Sequence, residues 1–163
     1  MISAILLAAG QSKRMLGENK LIKKINGIPL INQTIKNILE SSIDELIVVT
    51  GYQNKIVENA IKKNNKIKFV FNKDFESGIA SSIKKGLINL NKKTEFFFIC
   101  LGDMPLVNRS DYNKLIELKN KKEIIVPNYK GKQGNPILFS MSMKEEIMVI
   151  KGDIGAKQIL EFN

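Results

Sequence analysis

The feature that most constrains the fold of this chain is the apolar run over residues 2–7, which only Ser3 interrupts. Such a run is typical of a strand that is buried on both faces, as in a parallel sheet covered by helices. Small residues ending at Gly10 follow directly, and the chain then becomes basic. Because ligands of open α/β sheets bind where the strands end, we expect a ligand site at this turn.

The rest of the chain alternates apolar strands with amphipathic helices. The predicted strands are residues 2–7, 46–50, 67–71, 96–101, 123–126 and 137–139. Helices are predicted to begin at Pro29, near Ile56, after a capping Ser77, at Ser110 and at Ile154, and residues 128–134 are predicted to form a flexible loop. This order predicts one α/β domain over residues 1–163, a three-layer α/β/α sandwich with a Rossmann-like, mostly parallel sheet.

The chain contains no histidine and a single cysteine, which narrows the chemistry available to it. The absence of histidine excludes histidine-dependent triads, histidine general bases and histidine metal ligands. Cys100 lies inside an apolar run and is predicted to be a buried core residue rather than a reactive thiol. A metal ion would therefore be held by oxygen ligands, which favours Mg²⁺ or Mn²⁺.

The formal net charge of the chain is +10, and nearly all of its positive residues are lysines. A basic surface can bind nucleic acid, but no aromatic residues are interleaved with these lysines to stack on bases. We therefore expect a lysine-rich solvated surface and no nucleic-acid partner. No apolar stretch approaches the roughly 18 residues of a membrane span, and no signal-peptide pattern precedes the first strand. A cytoplasmic protein without a membrane partner is expected.

The turn after the first strand matches neither of two common phosphate-binding patterns. It lacks the Gly-Lys-Ser/Thr ending of a P-loop and the three glycines of the dinucleotide fingerprint. Its small residues let backbone N–H groups approach a ligand, and Arg14 and Lys20 add positive charge close by. Guanidinium and ammonium groups both bind phosphate oxygens, so this turn favours a nucleoside triphosphate.

A carboxylate follows the predicted strand 96–101, where the chain reads Gly102-Asp103-Met104-Pro105. A parallel strand would carry Asp103 to the same sheet edge as the first turn. There the carboxylate could hold a Mg²⁺ ion that bridges to the triphosphate. The alternative is that Asp103 only stabilises the turn before Pro105. The basic turn at the same edge favours the metal ligand.

Three further clusters of small and polar residues are predicted to lie in turns. Gly78 would let the backbone come close to a ligand, and the hydroxyls of Ser81 and Ser82 could bind a base or ribose. A plain helix cap is the alternative for this cluster. The clusters at residues 134–136 and 152–157 are, each taken alone, typical of ordinary turns.

These motifs occur in a fixed order along nearly the whole chain: Leu7-Ala8-Ala9-Gly10-x-Ser-x-Arg14-Met15 with Lys20, Ser77-Gly78-x-x-x-Ser82-Ile83, Gly102-Asp103-Met104-Pro105, Gly131-x-x-Gly134-Asn135-Pro136 and Gly152-Asp153-x-Gly155-Ala156-Lys157. Together they resemble the molybdenum cofactor nucleotidylyltransferases, and most closely the cytidylyltransferase branch. The resemblance implies a sandwich of the nucleotidyltransferase type. It also implies a reaction in which a pterin phosphate attacks the α-phosphate of CTP and pyrophosphate leaves.

The resemblance assigns roles residue by residue. The residues implied to contact the nucleotide are Leu7, Ala8, Ala9, Gly10, Arg14, Lys20, Gly78, Ser82 and Asp103, and those with a catalytic role are Arg14, Lys20 and Asp103. Asp103 is implied to bind Mg²⁺ or Mn²⁺. The residues implied to face the molybdopterin acceptor are Gly134, Asn135, Pro136 and Asp153. A recipient molybdoenzyme is implied as a further partner.

Three alternatives to this interpretation remain open. Guanylyl-transferring relatives carry Ala-Gly-Gly where this chain has Ala8-Ala9-Gly10, so the methyl of Ala9 favours a pyrimidine but leaves GTP as an alternative. The acceptor could instead be a sugar or alditol phosphate, or the chain could be a nucleotide or molybdopterin carrier without activity. The family usually continues into a segment that supplies a second metal carboxylate, and this chain is expected to lack that segment after Asn163.

Overall fold

The computed structural model describes residues 1–11 and 18–153, in which strands and helices alternate. In chain order the strands are β1 (Ile2–Ala8), β2 (Lys24–Ile25), β3 (Ile28–Pro29), β4 (Glu45–Thr50), β5 (Ile67–Phe71), β6 (Phe96–Leu101), β7 (Ile124–Ile125), β8 (Asn128–Tyr129), β9 (Lys132–Gln133) and β10 (Ile137–Ser140). The helices are α1 (Leu30–Leu39), α2 (Asn54–Ala60), α3 (Ile79–Leu87), α4 (Arg109–Glu117) and α5 (Lys144–Val149). Short 3₁₀ turns cover Lys20–Ile22, Phe75–Ser77 and Met141–Met143.

The central sheet has the strand order β5-β4-β1-β6-β10-β7. Strands β5, β4, β1 and β6 are all parallel, and β1 pairs with β4 on one side and β6 on the other. Strand β10 runs antiparallel to β6, and β7 runs antiparallel to β10. The carboxyl ends of β1 and β6 are therefore neighbours at one edge of the sheet, as the expectation of a mostly parallel sheet requires.

Helices cover both faces of this sheet. On one face, buried side chains of α1, α2 and α4, such as Ile35, Val57 and Tyr112, belong to one apolar cluster with Leu6 of β1. On the other face, buried side chains of α3 and α5 belong to a second apolar cluster that contains Ile5. Successive residues of a strand point to opposite faces, so an apolar strand of this kind needs both layers. The predicted three-layer α/β/α sandwich is confirmed.

The helix starts differ from the sequence-based expectations by one or two residues. Helix α4 begins at Arg109 instead of the predicted Ser110, and Asn108 is its N-cap. The side chain of Asn108 accepts from the N–H groups of Ser110 and Asp111. Ser77 ends a 3₁₀ turn, and the N-cap residue of α3 is Gly78, which has no side chain to cap the helix. Asparagine is as good an N-cap as serine, so the residue type alone did not distinguish the two positions.

The predicted flexible loop at residues 128–134 contains a hairpin formed by β8 and β9. Lys130 and Gly131 connect the two strands, and both have positive φ, of 50° and 77° respectively. This combination is typical of the two-residue turns that match the twist of paired strands. Helix α5 and the β2–β3 hairpin were not predicted, and the predicted helix from Ile154 lies outside the described residues.

Candidate active site

A cavity of about 460 Å³ lies at the sheet edge where β1 and β6 end. Cavities of this size are typical of small-molecule sites. The predicted site residues in its wall are Leu7, Ala9, Gly10, Lys20, Gly78, Ser82, Asp103 and Asp153. They come from five separate segments of the chain. The parallel strands β1, β5 and β6 carry three of these segments to one edge of the sheet, and Lys20 and Asp153 reach the same cavity from turns.

The ends of β1 and β6 hold Lys20 and Asp103 against each other. The N–H of Gly102 donates to the carbonyl of Leu7 at 3.1 Å, which ties the two strand ends together. A β-carbon added to Gly102 would lie 3.1 Å from the side chain of Leu21, so the turn that carries Lys20 packs closely over this position. The Lys20 Nζ and Asp103 Oδ2 atoms are 2.5 Å apart, and both side chains are partly exposed at the cavity. A cation and a carboxylate therefore meet at one point of its wall.

The first turn of α3 forms another part of the wall, and the chain segment at residues 152–153 packs against it. The N–H of Ala80 donates to the carbonyl of Gly152 at 3.1 Å, and the N–H of Ile79 donates to Asp153 Oδ1 at 3.3 Å. Gly78 has φ 108°, and a β-carbon there would lie 2.4 Å from the Gly152 carbonyl carbon. Only glycine allows this approach, which brings the Asp153 carboxylate to the cavity.

Sequence reasoning missed Asn72, which lies beneath Ser82. Asn72 follows β5 directly, is 2% exposed, and donates from Nδ2 to Ser82 Oγ at 3.0 Å. The signal that could have found it is its position, because a polar residue after an apolar strand is carried to the ligand edge of a parallel sheet. Asn72 is therefore a further candidate residue of the site.

Some predicted residues lie away from the cavity wall. Ala8 is 1% exposed and packs in the core on the α1 side of the sheet, so its side chain does not reach the cavity. The chain before β10 holds Gly134, Asn135 and Pro136. Because β10 runs antiparallel to β6, this chain lies at the edge where β6 ends, but its three residues do not line the cavity. Arg14 and residues 154–157 lie outside the described residues.

The oxygen donors at the site suit a divalent ion that is shared with substrate. Among residues 1–11 and 18–153 no group of three or more acidic, cysteine or histidine side chains forms a metal cluster. Asp103 supplies one partly exposed carboxylate in the cavity wall. Mg²⁺ is commonly bound by one or two carboxylates together with substrate phosphates and water, and Asp103 fits that role.

Cys100 lies in the core behind the site rather than in it. Desolvation by burial raises the pKa of the Cys100 thiol to about 12, so the thiol is protonated near neutral pH. A protonated buried thiol is a poor nucleophile. The interpretation of Cys100 as a core residue is confirmed.

Comparison with known proteins identifies the family. The model of the MobA-like NTP transferase domain matches residues 4–163. The chain belongs to this family. The MobA-like proteins similar to it include the molybdenum cofactor cytidylyltransferase of Escherichia coli K12, with 31% identity over 139 residues, which is 85% of this chain and 70% of that protein. A probable molybdenum cofactor guanylyltransferase of Methanosarcina acetivorans is 28% identical over 78% of this chain and 57% of its own length.

Solved structures show the same fold. The protein Rv0371c of Mycobacterium tuberculosis H37Rv has a TM-score of 0.88 and 25% identity, over 98% of this chain and 82% of that chain. The structure of Rv0371c with manganese is also similar, with a TM-score of 0.80 and 21% identity, over 99% of this chain and 80% of that chain. The MobA-like chain described here is thus a nucleotidyltransferase domain with the expected architecture. No helix in its described part is long and apolar enough to cross a membrane.

Proposed function

We propose that this MobA-like nucleotidyltransferase transfers CMP from CTP to molybdopterin and releases pyrophosphate. The observation that carries the proposal is the meeting of Lys20 and Asp103 in the wall of the cavity, 2.5 Å apart, beside the first turn of α3. A triphosphate that binds together with Mg²⁺ uses both a cation and a metal-binding carboxylate at one place. The cytidylyltransferase named among the similar proteins supports CTP and the pterin acceptor.

The reaction proceeds by displacement at the α-phosphorus. An oxygen of the acceptor phosphate forms a bond to the α-phosphorus, the bond to the bridging oxygen breaks, and pyrophosphate leaves with the electron pair. An acceptor phosphate is already ionised at neutral pH, so a chain without histidine needs no general base. Alignment of the phosphates and neutralisation of their charge then supply most of the rate enhancement.

Each residue has its own part in this reaction. Lys20 binds the triphosphate and the departing pyrophosphate, and Arg14, which lies outside the described residues, is proposed to share this role. Asp103 would hold Mg²⁺, and the ion would neutralise phosphate charge. Leu7, Ala9, Gly10, Gly78 and Ser82 contact the nucleoside, and Ala8 can contribute only backbone atoms because its side chain is buried. The manganese complex of the mycobacterial protein supports the use of a divalent ion.

The acceptor is proposed to bind between the chain that precedes β10 and Asp153 in the cavity wall. Gly134, Asn135 and Pro136 precede β10 at the edge where β6 ends, on the Asp103 side of the cavity. Asp153 lies in the cavity wall next to α3. The pterin part of the acceptor is proposed to lie between these two groups, with its phosphate directed toward the α-phosphorus.

The choice of base depends on the wall near Ala9. The methyl of Ala9 lies 2.8 Å from the position that a β-carbon would take at Gly51, so it fills space that Gly51 leaves open. A change of one methyl group in a pocket shifts selectivity by about 1–3 kcal/mol, and the similar guanylyltransferase keeps GTP as the second candidate.

A transfer assay distinguishes these candidates. Radiolabelled CTP, GTP and UTP are each incubated with the protein and Mg²⁺, with molybdopterin or a sugar phosphate as the acceptor. We expect pyrophosphate release with CTP and molybdopterin only. Transfer from UTP to a sugar phosphate would contradict the pterin acceptor, and nucleotide binding without any pyrophosphate release would indicate a carrier.

Replacing Lys20 by alanine is expected to weaken the binding of CTP by about 10–100-fold, because a hydrogen bond to a charged group is worth about 1.5–3 kcal/mol. The affinity for CMP should change little, since Lys20 is assigned to the outer phosphates. Isothermal titration with both nucleotides in the presence of Mg²⁺ measures the difference. Lys23→Ala is the matched control, because Lys23 pairs with Glu18 at 2.7 Å and is not among the lining residues. An unchanged CTP affinity in Lys20→Ala would remove the phosphate role of Lys20.

A further inference from the structure

Asn72 is held in one orientation by its neighbours. It is 2% exposed and lies at the end of β5, where its N–H donates to the carbonyl of Thr50 at 2.8 Å. Its side-chain Oδ1 accepts from the N–H of Asp74 at 3.1 Å. Because a backbone N–H can only donate, the amide oxygen must face Asp74, and the NH₂ group must face α3.

The NH₂ group of Asn72 donates to two adjacent serines of α3, at 2.9 Å to Ser81 Oγ and 3.0 Å to Ser82 Oγ. These serines differ in the use of their own protons. The hydroxyl of Ser81 donates to the carbonyls of Gly78 at 2.8 Å and Asp74 at 3.0 Å. Within the described part of the chain, the hydroxyl of Ser82 makes only the hydrogen bond that it accepts from Asn72. Ser82 is also the serine that lines the cavity.

An NH₂ group cannot accept a hydrogen bond, so the Ser82 proton must be given to something other than Asn72. Ser82 is 3% exposed, and a buried hydroxyl proton without an acceptor costs free energy. The open side of Ser82 is the cavity. The arrangement therefore favours a ligand oxygen in the cavity as the acceptor of the Ser82 hydroxyl proton.

We propose that Asn72 is a positioning residue that keeps the Ser82 hydroxyl as a hydrogen-bond donor to an oxygen of the nucleoside. The acceptor is a carbonyl of the base or an oxygen of the ribose. This inference rests on the proposed nucleotide site and adds the direction of one hydrogen bond in it. It separates the two serines: Ser82 recognises ligand, and Ser81 only supports the start of α3.

The test is Asn72→Asp. A carboxylate of the same shape still accepts from the N–H of Asp74, but it would accept the Ser82 proton instead of donating to Ser82. We expect the dissociation constant of CTP to rise about 5–20-fold, the effect of one lost hydrogen bond and an unpaired acceptor. The affinity for inorganic tripolyphosphate, which has no nucleoside, should remain within about 2-fold, a change near the smallest hydrogen-bond effects. Ribose 5-triphosphate distinguishes the two acceptors, because it is weakened only if Ser82 binds the ribose.

Two serine variants complete the design. Ser82→Ala should weaken CTP as Asn72→Asp does, and the double variant should be no weaker than either single variant. Ser81→Ala is the matched control and should leave CTP affinity unchanged, although the protein becomes less stable. If Asn72→Asp does not fold, Asn72→Ala replaces it in the same titrations, and the comparison of the two serines is unaffected.

The inference is overturned if Asn72→Asp weakens tripolyphosphate as much as CTP, if its effect adds to that of Ser82→Ala, or if Ser81→Ala weakens CTP equally. Its failure can be told from failure of the proposed function. A wild-type protein that binds CTP but does not modify molybdopterin contradicts the acceptor and leaves the role of Asn72 standing. A wild-type protein that binds no nucleotide contradicts both.

Discussion

Replacing Asp103 by asparagine is expected to lower the rate of nucleotidyl transfer by at least about 10²–10³-fold, the usual effect of removing one group that stabilises charge in a transition state. Asparagine has the same shape but no charge, so it would hold a divalent ion weakly and would leave Lys20 without its carboxylate partner at 2.5 Å. Single-turnover pyrophosphate release at saturating CTP measures the rate.

The fold should tolerate this substitution, because the Asp103 side chain is about one-third exposed and takes no part in the core. Binding of Mn²⁺ followed by paramagnetic resonance gives a readout that does not depend on activity, and we expect it to weaken in Asp103→Asn. The matched control is Asp111→Asn, which removes a carboxylate from the capping box of α4. That control should lower stability slightly and leave transfer unchanged. A normal transfer rate in Asp103→Asn would rule out its role as the metal ligand.

Replacing Gly78 by alanine is expected to lower the free energy of unfolding by roughly 2–6 kcal/mol, the sum of backbone strain and overpacking. Gly78 has φ 108°, and an added β-carbon would lie 2.4 Å from the carbonyl carbon of Gly152 and 2.8 Å from the backbone nitrogen of Asp153. Backbone atoms cannot move aside as a flexible side chain can. Either α3 or residues 152–153 must shift, and Asp153 would leave the cavity wall.

Two other glycines separate the causes of this effect. At Gly131 the φ is also positive, at 77°, but within residues 1–11 and 18–153 nothing lies within 4 Å of an added β-carbon, so Gly131→Ala measures strain alone. At Gly10 the φ is not positive and no atom of the described residues lies within 4 Å of an added β-carbon, so Gly10→Ala should leave stability nearly unchanged. Urea unfolding of the three variants gives the comparison. If Gly78→Ala proves as stable as Gly10→Ala, residues 152–153 do not pack on α3 as described.

Much of the site was predictable from residues at strand ends. The apolar runs before Gly10 and Gly102 indicated buried parallel strands, and parallel strands end at one edge. The approach of Lys20 to Asp103 follows from that rule once β6 lies beside β1. The roles of Arg14 and of residues 154–157 stay predictions, because they lie outside the described residues.

Other details were not predictable in the same way. The burial of the Ala8 side chain depends on which face of β1 it occupies, and that is decided by the helices that cover each face. The hairpin at residues 128–134 was predicted as a loop because its strands are two residues long, too short for a periodic pattern. The positive φ of Lys130 could not be predicted either, because lysine rarely adopts a positive φ.

The layer order, the mostly parallel sheet and the polar residues at its edge could be derived from the amino-acid order, because hydrophobic periodicity and turn residues act over a few neighbouring positions. The contacts that shape the cavity could not be derived from the amino-acid order. Two such contacts are the packing of Gly152 on the first turn of α3 and the hydrogen bond from Asn72 to Ser82. Both join separate segments, and they form when helices and loops pack on the sheet. Their energy depends on distances between elements, and no local pattern of residues encodes those distances.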